Sequence, residues 1–344
     1  MHPPSSVVAA PRHWVLPFAA SLSEPCQHAL PHLNAEGQLP LLPNLRRLLG
    51  ALQVSQRLKG DEYALSMPHE RVLAAEMGWL GAADPANADG LLPWAAWWAA
   101  QDGLTLDPTL CWGLLSPGHW LMGRDHLTLL DPATLGLSDD ESRALLEIVR
   151  PLFEEDGWTL QWGAAQRWYA AHPSLDGLPT ASLDRVIGRN PDLWLTDHPQ
   201  ARMVRRLQSE VQMLLYTHPL NEAREAAGLA TVNSFWLSGC GRPPASTALP
   251  ASVHCVNDLR APLLADDMPL WLEAWQRVDA TVLKDVCTAL DAGEALKLTL
   301  CGDRHAVTLT PAAAPSLGAR LTRTLRQLTG RPDTARVTDL LETL

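Results

Sequence analysis

Charge is scarce in this chain and its basic share is smaller still. Only 19% of the 344 residues are charged, against 47% hydrophobic, and 27 Lys and Arg face 38 Asp and Glu for a net charge of −11. The acidic balance is spread along the chain, which argues against nucleic acid or an anionic membrane surface as partner, since both require a basic face. So few charges beside so many apolar residues also argue against disorder. No apolar run approaches the roughly 18 to 20 residues that a membrane-spanning helix needs. The six cysteines, at 26, 111, 240, 255, 287 and 301, form no CxxC pair and no Cys/His cluster with zinc spacing. They read as free thiols in a reducing compartment, so a cytoplasmic location is expected. Residues 1 to 12 hold Pro3, Pro4 and Pro11 and lack an apolar core, which reads as a ragged leader rather than a signal peptide. No internal repeat is visible.

Phenylalanine and tyrosine are also rare, three of each, whereas tryptophan occurs 14 times. Trp94, Trp97 and Trp98 either line a pocket for a flat ligand or fill a core, and each buried indole N–H needs an acceptor. The length fits one large or two ordinary domains.

Element signals run along the chain. His13 to Ala19 reads as an early core strand, and Pro43-Asn44-Leu45 opens a helix carrying Leu45, Leu48, Leu49 and Leu52. A second helix within Asp61 to Gly78 is entered at Pro68. Residues 81 to 93 read as a linker. Strands follow at Cys111 to Leu115 and Leu127 to Leu130, then a helix opened by a Ser138/Glu141 capping box. Thr159 to Trp162 and Arg167 to Ala171 suggest a hairpin. Arg202 to Tyr216 is an amphipathic helix with Arg202, Arg205 and Arg206 outward. Val232 to Leu237 is a strand, 241 to 252 a Pro/Ser-rich loop, and Pro269 to Leu290 one long helix with Trp271 and Trp275 on its apolar stripe. Leu296 to Leu300 and Ala306 to Leu309 form a hairpin around Gly302-Asp303, and Leu321, Leu325 and Leu328 mark a last helix. The expected organisation is an α/β core domain from 1–85 and 201–344, with an inserted α+β domain at 86–200.

Several polar groups stand out as site candidates. In Tyr216 to Gly241, His218, Asn221 and Arg224 are followed by Asn233, Trp236 and the Gly239-Cys240-Gly241 turn. His218, Asn221 and Arg224 cannot share one face of a continuous helix, so Pro219 is expected to restart the chain, with Asn221 capping a short helix. Arg224 and the N–H groups of Gly239 and Gly241 then form an anion site, or else Arg224 braces a loop and the glycines allow a tight turn. Arg185 and Arg189, beside Asp184 and Asn190, make a second cluster that either binds an anion, because a guanidinium fork suits carboxylate or phosphate, or forms a solvated surface with local salt bridges. His69-Glu70-Arg71 combines an imidazole and a carboxylate, although neighbours on a helix point about 100° apart. Asp266-Asp267 either binds a cation or favours a helix start. Asp303 and His305 are either metal ligands or parts of a turn.

The segment Thr217-His218-Pro219-Leu220-Asn221, with Arg224, Gly228, Asn233, Trp236, Leu237, Gly239 and Gly241, resembles a signature of archaeal-type cofactor-independent phosphoglycerate mutases. Pro43-Asn44-Leu45 is similar to a helix start of the wider alkaline phosphatase superfamily, and Gly78 to the glycine closing its nucleophile helix. The chain as a whole also resembles a bacterial group of RpfE-type regulatory proteins. The resemblance implies a degenerate alkaline-phosphatase-like sheet core of α/β class. Active members of that superfamily hold two divalent metals and a Ser or Thr nucleophile. Here Pro17-Phe18 stands where a ligating Asp is wanted, His69 stands near the nucleophile's place, and Ser66 is about three residues out of register. Only 29 residues separate Gly241 from Trp271, too few for the expected ligand-bearing strands.

The leading expectation is therefore a non-catalytic relative without cofactor, binding a small anionic ligand or a protein partner in a regulatory role. The first alternative is a metal-dependent phosphotransferase or phosphohydrolase with ligands rearranged among His69, Asp303 and His305, each near 2 Å from one ion. The second is an interaction scaffold with a tryptophan-rich surface.

Overall fold

Two sheets of different character organise the chain. The computed structural model describes residues 10–34, 41–80, 88–124, 126–311 and 335–344. They divide into one unit of residues 1–62 with 250–344 and a second of 63–249.

The first unit begins with β1 (Arg12–Leu16), where four of five residues are buried. That uninterrupted apolar run suits a strand covered on both faces. Just past it Phe18 takes a left-handed φ of 59° while 2% exposed, and its carbonyl accepts from Trp271 Nε1 at 3.2 Å. Helix α1 (Glu24–Ala29) is capped by the Ser23 side chain, which accepts from Cys26 N. Helix α2 (Pro43–Ala51) has proline in its first turn and buries Leu45, Leu48 and Leu49. Leu52 does not extend it, but opens β2 (Leu52–Leu58), in which Gln53 to Arg57 are all exposed. A strand without a buried face shows no alternation, so periodicity could not announce it.

The second unit follows in the chain. Helix α3 (Pro68–Glu76) starts at Pro68, and α4 (Trp94–Gln101) carries the tryptophan cluster. Strand β3 (Trp112–Gly118) is buried throughout. The short strands β4 (Trp120–Met122) and β5 (Leu127–Leu129) pair as a hairpin. Helix α5 (Asp139–Glu155) opens on the expected Ser138/Glu141 capping box. Strands β6 (Thr159–Ala164) and β7 (Arg167–Ala171) form the expected antiparallel hairpin. Then come α6 (Leu183–Val186), α7 (Ala201–Tyr216), α8 (Pro219–Ala226) and β8 (Ser234–Gly241). The sheet runs β6-β7-β3-β8, with every pair antiparallel. Leu145, Leu146, Val149 and Phe153 of α5 and Leu207, Val211 and Leu215 of α7 share one core with Leu115, Phe235 and Leu237 of the sheet. Ala95, Ala96 and Ala99 of α4 pack with Trp112, Leu114 and Tyr169. Successive β3 side chains point to opposite faces, and both faces are covered.

The chain then completes the first unit with β9 (Val253–Cys255), α9 (Arg260–Leu264), α10 (Met268–Val278), α11 (Lys284–Asp291), β10 (Leu296–Cys301), β11 (Ala306–Pro311) and a helix at Ala335–Leu341. Its sheet is mixed, in the order β2-β11-β10-β1-β9, with β1 parallel to β9 and β10 and with β11 antiparallel to β10 and β2. The expected single helix over Pro269 to Leu290 is interrupted by a π-helical turn, Asp279–Leu283. Here the Asp279 carboxylate accepts from the backbone N–H groups of Asn44 and Leu45, at 3.1 and 2.8 Å. It thus satisfies two orphan donors of α2 from a distant element, a cap that local sequence cannot reveal. Asp267 caps α10 by accepting from Leu270 N at 3.0 Å, and Asp266 accepts from Ser23 Oγ.

The division differs from the boundaries at 85/86 and 200/201 that the sequence suggested. Strand β8, expected in the core domain, pairs with β3 from Gly118↔Ser234 to Trp112↔Gly241 and so belongs to the second unit. One short strand, β9, does fit between Gly241 and Trp271. The predicted helix through Leu321, Leu325 and Leu328 and most of the 81–93 linker lie outside the described residues, as do positions 1–9.

Candidate functional site

The N-terminal turn of α3 is tied to its surroundings by several polar contacts. Pro68 needs no hydrogen bond there, and Glu70 reaches back to accept from Met67 N at 2.8 Å. Asp89 accepts from Leu65 N and Ser66 N at 2.9 and 2.8 Å, and Ser66 Oγ accepts from Gly90 N at 2.8 Å. Gly90 has a φ of +72°, and a Cβ on it would lie 2.6 Å from Leu65 Cδ1, so the crossing requires glycine.

The segment from Leu178 to Val186 is stitched to this turn. Thr180 N donates to Gly90 O, and Ser182 N donates to Leu65 O, both at 2.9 Å. Ser182 Oγ donates to Glu70 Oε1 at 2.8 Å. Arg185, only 1% exposed, donates to Ser66 O at 3.3 Å and lies over the Trp194 ring at 5.6 Å from its centroid. His69 Nε2 stands 4.0 Å from Asp184 Oδ2. Burial pushes the Glu70 carboxyl up to about 7, and Asp184 adds to that, while the Met67 and Ser182 hydrogen bonds and the Arg185 charge oppose it.

The same segment forms one wall of a small open cleft with a cavity volume of about 30 Å³. Leu178, Ala181, Trp194 and Trp236 supply its apolar surface, and α7 supplies Arg205 and Gln208. Trp236 is held by Nε1 donating to Ala181 O at 2.9 Å, and Gln208 by Nε2 donating to Phe235 O at 3.1 Å. Arg205 makes one long contact, 3.4 Å to Thr196 O, and no carboxylate of the described residues lies within ion-pair distance of it. None of the residues lining the cleft is Asp, Glu, His, Cys, Lys or Tyr.

The remaining candidates of Tyr216 to Gly241 have local partners. His218 rather than Asn221 caps α8, its ring accepting from Leu220 N at 3.2 Å. Asn221 is buried and bridges Leu215 O and Val232 O while accepting from Val232 N. Arg224 is 2% exposed and donates to Ala230 O, Leu135 O and Glu141 Oε1. Its guanidinium ties the α8 loop to the start of α5, the brace that was the alternative to an anion site. Asn233 pairs with both backbone groups of Trp120. Gly239, with a φ of +63°, sits where a Cβ would lie 2.8 Å from Ala95 N, and a Cβ on Gly241 would lie 3.0 Å from Pro93 Cβ. The β3–β8 register shifts at this point, between Trp112 and Leu114. Both glycines therefore allow β8 to bulge against the start of α4. Arg189 follows α6, its carbonyl accepting from Leu129 N, and Asn190 caps the next 3₁₀ turn.

Trp94, Trp97 and Trp98 make a chain of edge contacts at 5.8 and 4.7 Å. Trp94 is buried, and Arg167 covers the Trp98 face at 4.9 Å while pairing with Asp102 through two nitrogens. Packing dominates there.

Asp303 and His305 belong to the β10–β11 turn of the first unit, whereas His69 belongs to the second. Asp303 Oδ2 accepts from Ser21 Oγ and Leu22 N, at 2.9 and 3.0 Å, and His305 Nδ1 accepts from Gly60 N at 3.1 Å. Burial, with the Arg304 charge next, holds His305 below the usual imidazole range. Among the described residues no group of three or more His, Cys, Asp or Glu is arranged to hold a metal ion. The six cysteines are free, and burial pushes Cys26 up to about 11 and Cys240 to about 12, which makes both thiols poor nucleophiles.

Sequence reading placed Arg205 on the outer face of α7 and passed over Trp194 and Thr180. One signal was available, since Gln208 lies next to Leu207 on the buried side of that helix, where a polar residue needs a partner.

No family model matches the chain, and no curated protein matches it. Among solved structures it is similar to the cofactor-independent phosphoglycerate mutase from Thermoplasma acidophilum DSM 1728, at 14% identity over 88% of this chain and 90% of that one, with a TM-score of 0.35. It is also similar to the PH0037 protein from Pyrococcus horikoshii, at 13% identity over 88% and 87% of the two chains, with a TM-score of 0.41. The similarity is distant, and at these scores it carries no argument about activity.

Proposed function

We propose that the chain is a non-catalytic binding protein that takes a small organic anion in the cleft between residues 178–181, Trp194, Trp236 and α7. The observation that carries this reading is Arg205, a cation without a carboxylate partner among the described residues, set beside two tryptophans and facing a cleft with no acidic wall. Trp194 and Trp236 are 4% and 2% exposed, so an anion would neutralise the guanidinium while its apolar body rests at the mouth of the lining. The lack of an acid or base on the cleft lining favours binding over turnover. A regulatory protein that senses a metabolite would need no more than this.

The test is a screen of small carboxylates, sulfonates and phosphate esters by ligand-observed NMR, followed by calorimetry on the hits. Arg205→Gln is expected to weaken a hit about tenfold, which is about 1.4 kcal/mol, whereas Arg202→Gln, on the exposed face of the same helix, leaves affinity unchanged. A screen with no hits, or an Arg205→Gln protein that binds as the wild type does, sinks the reading.

A further inference from the structure

We infer that Glu70 couples occupancy of this cleft to a proton, the anion binding best when Glu70 is protonated. The inference rests on the cleft reading above and adds its regulation.

Its basis is connectivity. Glu70 does not line the cleft, but its Oε1 accepts from Ser182, the residue that follows Ala181 of the cleft wall. The wall has little freedom apart from Glu70, because Thr180 N, Ser182 N and Arg185 all bond to the 65–90 region. Arg185 joins the two sites a second time, donating to Ser66 O while covering the Trp194 ring that lines the cleft. The charged and titratable groups around Glu70 are His69 and Arg71 from its own helix, Asp89 from the crossing turn, and Asp184 and Arg185 from α6.

Two negative charges in such a region repel. Ionised Glu70 adds a charge beside that of Asp184, and a bound anion adds a third on the other side of the 180–186 segment. In general, two like charges about 10 Å apart at an effective dielectric constant of about 20 change an equilibrium constant about tenfold. By linkage, the ligand then raises the proton affinity of Glu70 by the same factor that the proton raises affinity for the ligand. The position of Glu70 near 7 puts the switch in a physiological range.

The experiment measures 2-naphthoate binding by calorimetry at pH 6, 7 and 8, in two buffers of different ionisation enthalpy, so that protons taken up are counted. The charge of this probe is constant over the range. Wild type is expected to bind five- to tenfold more weakly at pH 8 than at pH 6, with proton uptake greatest near pH 7. Glu70→Gln is expected to bind with equal affinity at all three. Ser182→Ala keeps Glu70 but removes a hydrogen bond that favours its ionised form, so its pH midpoint should move upward, a shift that mere loosening of the wall would not give. His198→Gln, next but one to the lining Thr196, should leave the wild-type profile intact. A flat wild-type profile, a Glu70→Gln protein that keeps the pH dependence, a Ser182→Ala midpoint that moves down, or loss of the dependence in His198→Gln would each overturn the coupling and leave the cleft reading standing. If neither 2-naphthoate nor any anion of the screen binds wild type at any pH, the cleft reading fails and the coupling falls with it.

Discussion

Two stretches of the second unit each hold an arginine, and they use it in opposite ways. In 216–241, Arg224 is 2% exposed and its donors meet Ala230 O, Leu135 O and Glu141. In 178–208, Arg205 is half-buried and meets one carbonyl at 3.4 Å. A guanidinium with all its forks engaged by its own chain is a brace, because breaking those bonds to receive a ligand would leave buried acceptors bare. A guanidinium at the edge of a cleft, without an anion of its own, is available to a ligand. Residue type is the same in both stretches, and partner geometry separates structure from binding.

The largest expected effect falls on the brace. Arg224→Ala should destabilise the protein by about 3 kcal/mol, read by urea unfolding, since it removes the Glu141 ion pair and leaves two carbonyl groups without their donor. A loss below about 1 kcal/mol would erase the contrast with Arg205. Gly239→Ala should cost about 2 kcal/mol in the same assay, because it combines a left-handed φ with a Cβ 2.8 Å from Ala95 N. A neutral result there would reopen the Gly-x-Gly turn as an anion cradle.

The next prediction is pH-dependent. Folded Glu70 holds its proton up to about 7, against an ordinary 4.5, so between these values the native state binds more protons than the unfolded chain. Stability from this group is therefore complete at low pH and falls as pH rises through the window. Glu70→Gln should remove a fall on the order of 2 to 3 kcal/mol between pH 5 and pH 8, measured by urea unfolding at both. The smallest effect belongs to the open arginine. Arg205→Gln should change stability by less than about 0.5 kcal/mol while abolishing most anion binding, the reverse of Arg224→Ala.

Much of the fold was legible because local rules and the tertiary structure agreed. Pro43, Pro68 and the Ser138/Glu141 box mark helix starts that the structure contains, and the 159–171 and 296–311 hairpins pair as their alternation implied. Legibility failed where one element depended on another. Strand β2 is exposed on both faces and exists through its pairing with β11. The π turn at Asp279 answers the bare N–H groups of Asn44 and Leu45 more than 230 residues away. The candidate residues of 216–241 show the same dependence. His218, Asn221 and Arg224 drew attention as polar residues of unlike chemistry, but such residues are also what a buried loop needs to close its backbone hydrogen bonds.

By itself the sequence determined the α/β class, the positions of most helices and the free state expected of the thiols, because these follow from composition, periodicity and caps within one turn of the chain. Only the tertiary structure decided that β8 joins β3, that Arg224 is enclosed and that Arg205 is not. Those outcomes depend on which distant carbonyls and carboxylates arrive beside each donor, and spacing along the chain carries no record of that.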